Sequence, residues 1–335
     1  MKYITLSHGN GGEETDRLIN DIFLKYLDNR YLSQKNDGTN LGRINGQVIM
    51  TTDSFVINPI FFNGGNIGKI SVCGTINDLA VMGAKPLYLS LALILEEGLE
   101  IEVLEKIIYS ISEEAKKANV YIVCGDTKVV GKGQCDKIYI NTTGIGVLDE
   151  CNKPKGINFI EVGDKIIISG TIGDHGCAIL NERNEFIHKE YLKSDCQSLN
   201  FLISEVLSKV GGIKVMRDPT RGGLATTLNE LVKQSNLSME IYEENIPYKD
   251  EVKDFCSLLG LDPLYMANEG KVIFIVKNDV SEEILRLLKN TEIGKDSAII
   301  GEVISDSEMN LYLTTSLGIK TILYPITGEE LPRIC

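Results

Sequence analysis

The stretch "IEVLEKIIYSISEEAKKA" (residues 101–118) decides the fold class, because it has the period of an amphipathic helix and lies between two apolar segments. Its Ile, Leu and Ala residues recur at every third or fourth position, with Glu and Lys on the opposite face. The flanking segments, "PLYLSLALIL" (86–95) and "VYIVCGD" (120–126), have the length and composition of strands. This order predicts a helix that packs on a sheet.

The same alternation continues along the chain and begins again after a polar linker, "CNKPKGIN" (151–158). Residues 46–53 and 137–148 are further strand-like segments of the first half. The second half contains a predicted strand and turn at 164–176, predicted helices at 198–210, 223–235 and 281–290, and a predicted strand at 270–278. We therefore predict an α+β fold with domains at 1–150 and 158–324 and a mobile tail at 325–335.

Composition excludes several classes of function. Hydrophobic residues make up 43% of the chain and charged residues 24%, and no apolar run approaches the roughly 18 residues of a membrane span. The first residues lack the apolar core of a secretory signal, so we expect a cytoplasmic protein that does not bind membranes. The net charge of −13 argues against nucleic acid as a partner. The eight cysteines form no CxxC pair, so they predict neither a zinc cage nor a disulfide framework.

Three acidic residues, Asp53, Asp78 and Asp126, end apolar runs. For each of them alone, a role in a turn or a helix cap is the better interpretation. Carboxylates at the ends of strands and helices can also converge in a cleft and hold Mg²⁺, which prefers oxygen ligands and leaves positions for phosphates. Taken together, the three predict a magnesium site.

Three glycine clusters could bring backbone amides close to phosphate groups: "HGNGG" (8–12), "SGTIGDHG" (169–176) and "DPTRGGLA" (218–225). Each is weak evidence by itself. The known nucleotide-binding loops are missing: "GDTKVVGKG" (125–133) has the wrong spacing for a P-loop, and no GxGxxG follows the first strand of a βαβ unit. The glycine pattern therefore predicts phosphate binding without one of these two motifs.

Cys335 is the last residue of the sequence, after "GEELPRI" (328–334). It cannot be the cysteine of a prenylation box, which needs three further residues. Three other cysteines, Cys73, Cys124 and Cys177, lie in apolar or glycine-rich surroundings and are expected to be small buried residues. Cys335 does not fit that interpretation, and we expect its sulfur to be used chemically.

These motifs together resemble the HypE family of [NiFe]-hydrogenase maturation factors over the whole chain, and the terminal "PRIC" (332–335) is the specific part. The other matching segments are Asp53 after a strand, "NDLAVMGAKP" (77–86), "CGDTKVV" (124–130), "DPTRGGLA" (218–225) and "NEGK" (268–271). The resemblance implies the two-domain fold of aminoimidazole ribonucleotide synthetase, with each domain a mixed sheet covered by helices. It also implies that the N-terminal domain binds ATP and Mg²⁺ and forms a two-fold homodimer through strands in residues 40–148.

The resemblance further implies an ATP-dependent carbamoyl dehydratase, a lyase, that acts on its own terminal cysteine. In the family, the carbamoyltransferase HypF loads this cysteine, ATP drives dehydration of the thiocarbamate to a thiocyanate, and the cyanide passes to iron on the HypC–HypD complex. The implied catalytic residues are Cys335, Lys128, Glu269 and His175, and the implied metal ligands are Asp53, Asp78 and Asp126. The implied cofactor-binding residues are Gly11, Gly12, Asn77, Thr127, Asp174, Asp218, Thr220, Arg221, Gly222 and Gly223.

Chemical reasoning assigns roles within this set. Lys128 lies two residues after Asp126, so in an extended segment both side chains share a face, and the ammonium group could stabilise a phosphorylated oxygen. Glu269 is either the general base or a solvated charge at the end of a strand, and His175 is either a proton carrier or a structural histidine in a turn. Because Cys335 must reach both an internal ATP site and outside partners, we expect the tail to be outward or poorly ordered without nucleotide and inward with ATP.

Two other functions are compatible with the sequence. The first is a small-molecule phosphotransferase of the same superfamily, in which the terminal cysteine is incidental. The second is a noncatalytic assembly factor whose tail docks on a partner. The first predicts ATP turnover that survives removal of the tail, and the second predicts no ATP binding.

Overall fold

Two sheets, one in each half of the chain, organise the protein. The structure is a computed structural model, and it describes residues 2–34, 36–148, 153–184, 191–306, 308–326 and 333–335. The predicted boundary at 150, part of the predicted linker, and residues 327–332 of the predicted tail lie outside the described residues. The helices are α1 (Glu13–Leu18), α2 (Leu24–Leu27), α3 (Ile67–Val81), α4 (Ile101–Ala118), α5 (Asp174–Arg183), α6 (Asn200–Lys209), α7 (Gly223–Ser235), α8 (Asp250–Leu259) and α9 (Ser281–Lys289).

The first sheet has four strands, β1 (Gln47–Phe55), β4 (Ala84–Glu96), β5 (Tyr121–Val130) and β6 (Ile138–Leu148), in the order β1-β6-β4-β5. A separate two-stranded hairpin joins β2 (Phe61–Phe62) to β3 (Gly65–Asn66). Strands β4 and β5 are parallel and are connected by α4, while β6 is antiparallel to both of its neighbours. The strand–helix–strand unit predicted from residues 86–126 is therefore present, as expected for parallel strands, which need a crossover connection.

The two faces of the first sheet differ in character. Helix α3 packs on β1, β4 and β6, and α4 packs on α3 and β5, so this face belongs to the hydrophobic core. On the opposite face of β1, Val48 and Met50 are 49% and 68% exposed. Because side chains alternate along a strand, this second face is an open surface with apolar residues on it.

The second sheet contains the strands of the second half in the order β13-β12-β9-β11-β7-β10-β8. Their bounds are β7 (Lys165–Ile168), β8 (Ile213–Arg217), β9 (Ser238–Tyr242), β10 (Ile273–Val276), β11 (Ala298–Ile304), β12 (Leu311–Thr314) and β13 (Lys320–Ile322). The central strands β7 and β10 are buried almost throughout, so they read as continuous apolar runs in the sequence. Strand β10 (Ile273–Val276) lies inside the predicted 270–278, and a turn of 3₁₀ helix follows it from Asn278.

Helix α3 also connects the two halves. It is buried on nearly all sides, since it packs on the first sheet, on α4, and on α6 and β8 of the second half. Its N-terminus is capped by Asn66, whose side-chain oxygen accepts hydrogen bonds from the amides of Gly68 and Lys69. Among the helices of the described ranges, none has both the length and the apolar character required to cross a bilayer.

Candidate active site between the two domains

Cys335 lies in a cleft of about 680 Å³ that both halves of the chain line. The volume is within the range typical of small-molecule sites. The lining residues come from the end of β1 (52–56), from α3 (Gly74 and Asp78), from the loop before α7 (Asp218, Thr220 and Arg221), from Glu269, and from the tail (333–335). The structure therefore places residues 333–335 in the cleft, with the terminal cysteine beside several of the predicted site residues.

Asp53 and Asp78 form a pair of carboxyl groups in this cleft. Asp53 lies on the face of β1 that α3 covers, and Asp78 lies on α3. Burial, and then the charge of Asp78, raises the pKa of Asp53 to about 6. The Thr51 hydroxyl donates to Asp78 Oδ2 at 2.8 Å and fixes that carboxylate. The strand and the helix thus concentrate negative charge at one point.

Two more carboxyl groups, from the second half of the chain, add to this charge. Burial and then the charge of Asp78 raise the pKa of Asp218 to about 7. Glu269 is 3% exposed, and its burial, followed by the charge of Asp218, raises its pKa well above the ordinary value. Such shifts are typical of functional sites, where buried like charges need a cation or a proton.

The Cys335 thiol is protonated in this environment. Burial and then the charge of Glu269 raise its pKa to about 12, and the positive charge of Arg221 opposes this shift only partly. Since the thiolate is the nucleophilic form of cysteine, the sulfur is a poor nucleophile while it lies in the cleft.

Two side chains hold the backbone of Glu269. Asn77 Nδ2 donates to the carbonyl oxygens of Gln197 (3.1 Å) and Glu269 (3.3 Å), and its Oδ1 accepts from the Leu199 amide at 2.8 Å. Asp195 accepts from the amides of Glu269 and Gly270, each at 3.1 Å. Asn77 was predicted to bind the cofactor, but its amide group is committed to backbone partners at the junction of the domains. It therefore positions Glu269.

The glycine-rich loop before α7 requires its two glycines. Gly222 and Gly223 have φ angles of +73° and +61°. A Cβ atom at Gly223 would lie 2.5 Å from the carbonyl oxygen of Met266, so any other residue would displace backbone. The turn brings Thr220 and Arg221 to the cleft and begins helix α7 beside it.

Asp126 and Lys128 are not brought to this cleft within one chain. Lys128 Nζ donates to Asp126 Oδ1 at 2.8 Å, and both side chains are more than 60% exposed. Asp126 is aligned across the sheet with Ala92, Asn141 and Ser54, so it shares the open face, whereas Asp53 lies on the face under α3. Strand alternation thus separates Asp126 from the two aspartates with which it was predicted to bind metal. The predicted shared face of Asp126 and Lys128 is present.

The other predicted cofactor residues lie in two places outside the lining of the cleft. Thr127 follows Asp126 in β5, and Gly11 and Gly12 are exposed at the start of α1, close to the outer end of β5. Asp174 begins α5 and is buried, and its Oδ2 contacts Thr171 Oγ1 (2.7 Å), Lys249 Nζ (3.1 Å) and Lys271 Nζ (3.6 Å). These contacts make Asp174 part of an internal ion network.

His175 contacts the backbone of the tail. The ring is fully buried, its Nε2 lies 2.6 Å from the carbonyl oxygen of Ile334, and its Nδ1 lies 2.8 Å from Ser194 Oγ. Burial lowers the pKa of His175, so the ring is neutral; it donates from Nε2 to the carbonyl and accepts at Nδ1 from the Ser194 hydroxyl. These two partners indicate the structural role that the sequence left as an alternative to proton transfer.

Sequence reasoning missed two residues that shape the site. Asp195 anchors the Glu269 backbone, and Arg183 Nη2 donates to the carbonyl oxygen of Arg333 at 2.7 Å. Neither belongs to a glycine cluster or follows an apolar strand, so the sequence carries no local signal for them. Their partners are distant in sequence and become neighbours only in the folded chain.

Both halves of the chain match known domain families. Residues 37–148 match the N-terminal domain of AIR synthase related proteins, and residues 161–314 match the C-terminal domain. The chain is 44% identical to carbamoyl dehydratase HypE of Bradyrhizobium diazoefficiens, with 99% of this chain and 96% of the relative covered.

Solved structures agree with this likeness. The crystal structure of hydrogenase maturation protein HypE in complex with ATP has a TM-score of 0.94 and 44% identity, covering 98% of this chain and 99% of that chain. A structure of the HypE–HypF complex has a TM-score of 0.81 and 45% identity, covering 92% and 99%. The predicted fold class, family and enzyme class are therefore confirmed. The chain belongs to the HypE family of carbamoyl dehydratases of hydrogenase maturation, within the AIR synthase related proteins.

Proposed function

We propose that the protein uses ATP to dehydrate a carbamoyl group carried on the sulfur of its own Cys335, which yields a thiocyanate. The observation that carries this proposal is the position of Cys335 in a cleft lined by Asp53, Asp78, Asp218, Arg221 and Glu269. A substrate attached to this sulfur would lie among charged groups that can serve phosphoryl transfer.

The chemistry requires an activated leaving group. The carbamoyl oxygen attacks the γ-phosphorus of ATP, ADP leaves, and the oxygen then departs as phosphate. The amide nitrogen loses both of its protons as the carbon–nitrogen triple bond forms. ATP and thiocarbamate are thus converted to ADP, phosphate and thiocyanate, which is the loss of one water driven by hydrolysis of ATP.

We propose Asp53 and Asp78 as the ligands of Mg²⁺. Within the described ranges, no three or more His, Cys, Asp or Glu side chains are already grouped around one metal position. Mg²⁺ commonly binds to one or two carboxylates together with the phosphates of its nucleotide, so this pair fits the ion. When bound, the ion would neutralise phosphate charge, and it would also relieve the repulsion that raises the pKa of Asp53.

Glu269 is the proposed acceptor of the amide protons. It is buried beside the position of Cys335 and is fixed by the hydrogen bonds of its backbone to Asn77 and Asp195. Its raised pKa suits a base that must accept a proton near neutral pH. Arg221 also lines the cleft, and we propose that it binds a phosphate oxygen, with Thr220 and the start of α7 beside it.

Loading and delivery require partners in the cytoplasm. A HypE structure has been solved with HypF, and we propose that HypF, or a carbamoyltransferase like it, loads Cys335 of this chain. Because the thiol is protonated in the cleft, loading would take place with the tail outward. The cyanide would then pass to the HypC–HypD iron complex.

We further propose that residues 1–150 form the dimerisation domain, 158–324 the second domain, and 325–335 a tail that moves between the two positions. The open face of the first sheet, with the exposed Val48 and Met50, is the proposed two-fold interface. Asp126 and Lys128 lie on the same face.

Mass spectrometry of the C-terminal peptide tests the function. Protein carbamoylated at Cys335 and given Mg·ATP should lose about 18 Da, the mass of one water, from this peptide and release one phosphate per thiocyanate. A Cys335→Ser variant is the control and should show neither change. ATP turnover on a free substrate by that variant would favour the phosphotransferase, and failure of the wild-type protein to bind ATP would favour the noncatalytic assembly factor.

A further inference from the structure

The last three residues pair with the segment after β1 through two backbone hydrogen bonds. The Val56 amide donates to the carbonyl oxygen of Cys335 at 3.0 Å, and the Asn58 amide donates to that of Arg333 at 3.2 Å. Asn58 lies two residues after Val56, whereas Arg333 lies two residues before Cys335, so the two segments run antiparallel. These hydrogen bonds involve only backbone atoms of the tail, so the sulfur of Cys335 can carry a carbamoyl or cyano group without breaking them.

Three side chains complete the binding of this segment. His175 Nε2 donates to the carbonyl oxygen of Ile334 at 2.6 Å, and Arg183 Nη2 donates to that of Arg333 at 2.7 Å. Asp136, in the turn between β5 and β6, forms an ion pair with the guanidinium of Arg333 at 2.7 Å. We call Asp136, His175 and Arg183 the tail receptor.

The receptor joins elements of both halves of the chain. Arg183 also donates from Nε to the carbonyl oxygen of Asn58 at 2.8 Å, so one guanidinium ties α5 to both paired segments. Ile334 is 5% exposed and belongs to the same hydrophobic cluster as Ile179 of α5. Removal of His175 as a donor would leave a buried carbonyl oxygen without its partner, which is costly because water cannot replace it.

We propose that the tail receptor sets the fraction of time that Cys335 spends in the cleft, with His175 as one of the residues that position the tail. The inference rests on the proposed function, in which Cys335 is loaded outside the cleft and dehydrated inside it. The receptor contacts only backbone carbonyls and Arg333, so it holds the free, carbamoylated and cyanated cysteine in the same way. The contacts that must break for the tail to leave the cleft are therefore the same before and after dehydration.

Alkylation of Cys335 by iodoacetamide measures the outward fraction without any catalysis. The C-terminal peptide released by cleavage after Glu330 reports Cys335, and peptides that contain the buried Cys73 and Cys177 report unfolding in the same sample. His175→Phe keeps a ring but removes the donor, and it should raise the rate at Cys335 about ten-fold with Cys73 and Cys177 unchanged. His175→Gln supplies a new N–H donor and should restore much of the protection.

Arg183→Ala is the second test, because this exposed side chain can be removed with little risk to folding. It should also raise the alkylation rate of Cys335 about ten-fold, whereas Arg286→Ala, on the surface of α9, should not change it. An unchanged rate in Arg183→Ala overturns the proposal. If His175→Phe also exposes Cys73 and Cys177, the Arg183 variant decides the question.

The two half-reactions separate positioning from general damage. If a single variant raises the outward fraction from about one in a hundred to about one in ten, loading becomes faster while the inward fraction barely falls. Single variants should therefore load faster and dehydrate almost normally. The double variant, His175→Phe with Arg183→Ala, should load faster still and dehydrate several-fold more slowly. Slower loading together with slower dehydration would refute the receptor role. If the receptor protects Cys335 from alkylation but the protein never dehydrates its carbamoylated cysteine, only the proposed function is refuted.

Discussion

Asp78, on the helix that covers β1, acts on Asp53 of that strand: burial, and then the charge of Asp78, raises the pKa of Asp53 to about 6. Two carboxylates so close together are stable only if they share a proton or bind a cation. If the pair binds Mg²⁺ as proposed, protons and Mg²⁺ should compete for it near neutral pH, and the stability of the protein should depend on both.

Without Mg²⁺, the protein should become less stable as the pH rises from 5 to 8. The folded-state pKa values of Asp53 (about 6) and Asp218 (about 7) lie above the ordinary value for Asp, so the stabilisation from their protons is complete below pH 4. It is lost as the pH rises through 6 and 7. The midpoint of thermal unfolding in EDTA should fall by about 2–4 °C for each kcal/mol lost, and Mg²⁺ should reduce the fall. Identical pH profiles with EDTA and with Mg²⁺ would contradict the assignment.

Asp78→Asn should weaken Mg²⁺-dependent ATP binding without unfolding the protein. The substitution removes one charged ligand and should lower affinity about ten-fold or more. It should also lower the pKa of Asp53, since the charge of Asp78 helps to raise it. Calorimetry with Mg·ATP measures the affinity, and the exposed Glu283→Gln is the matched control. Unchanged affinity in Asp78→Asn would remove this residue from the metal site.

Glu269→Gln should retain ATP binding and lose dehydration by about 10²–10⁴-fold, as expected for removal of a general base. In the wild-type protein, the pKa of Glu269 is raised by burial and by Asp218, so its ionised fraction grows as the pH rises. Single-turnover dehydration of carbamoylated protein should therefore accelerate with pH, and the remaining rate of the variant should not follow this rise. A variant that dehydrates at the wild-type rate would exclude Glu269 as the base.

Most elements of the fold could be predicted because each is encoded locally. The period of residues 101–118 indicates helix α4, and the apolar runs of 86–95 and 120–126 indicate its two strands. Asp53 and Asp78 could be selected for a similar reason, since both end apolar segments. Their meeting in one cleft depends on α3 covering β1.

The positions of Asp126 and Asn77 in the folded chain depend on information that no local pattern carries. Asp126 also ends an apolar strand, but the register of the sheet assigns its side chain to the open face. A shift of the strand by one residue would move this side chain to the opposite face. Asn77 lies in a recognisable motif, whereas its partners, the backbones of Gln197, Leu199 and Glu269, are 120 to 192 residues away. Long-range hydrogen bonds of this kind cannot be inferred from one sequence.

Asn77→Ala should destabilise the protein by about 2–4 kcal/mol, because it leaves buried backbone groups without partners. Urea unfolding measures this loss. It should greatly exceed the loss in the control Asn20→Ala, since Asn20 is exposed and lies between α1 and α2. Dehydration should slow because the Glu269 backbone loses one anchor, while the affinity for Mg·ATP should stay the same. A specific loss of ATP affinity with normal stability would restore the cofactor-binding role predicted from the sequence.

Met50→Glu should disrupt the proposed homodimer. Met50 is 68% exposed on the open face of the first sheet, and a carboxylate buried there in an apolar interface would lose its water without gaining a partner. Light scattering at micromolar concentration should find a dimer for the wild-type protein and a monomer for the variant. Met82→Glu is the matched control, since Met82 is 56% exposed at the end of α3, on the other side of the sheet, and should leave the dimer intact. A wild-type protein that is monomeric at this concentration would show that this face is not a stable interface between two copies.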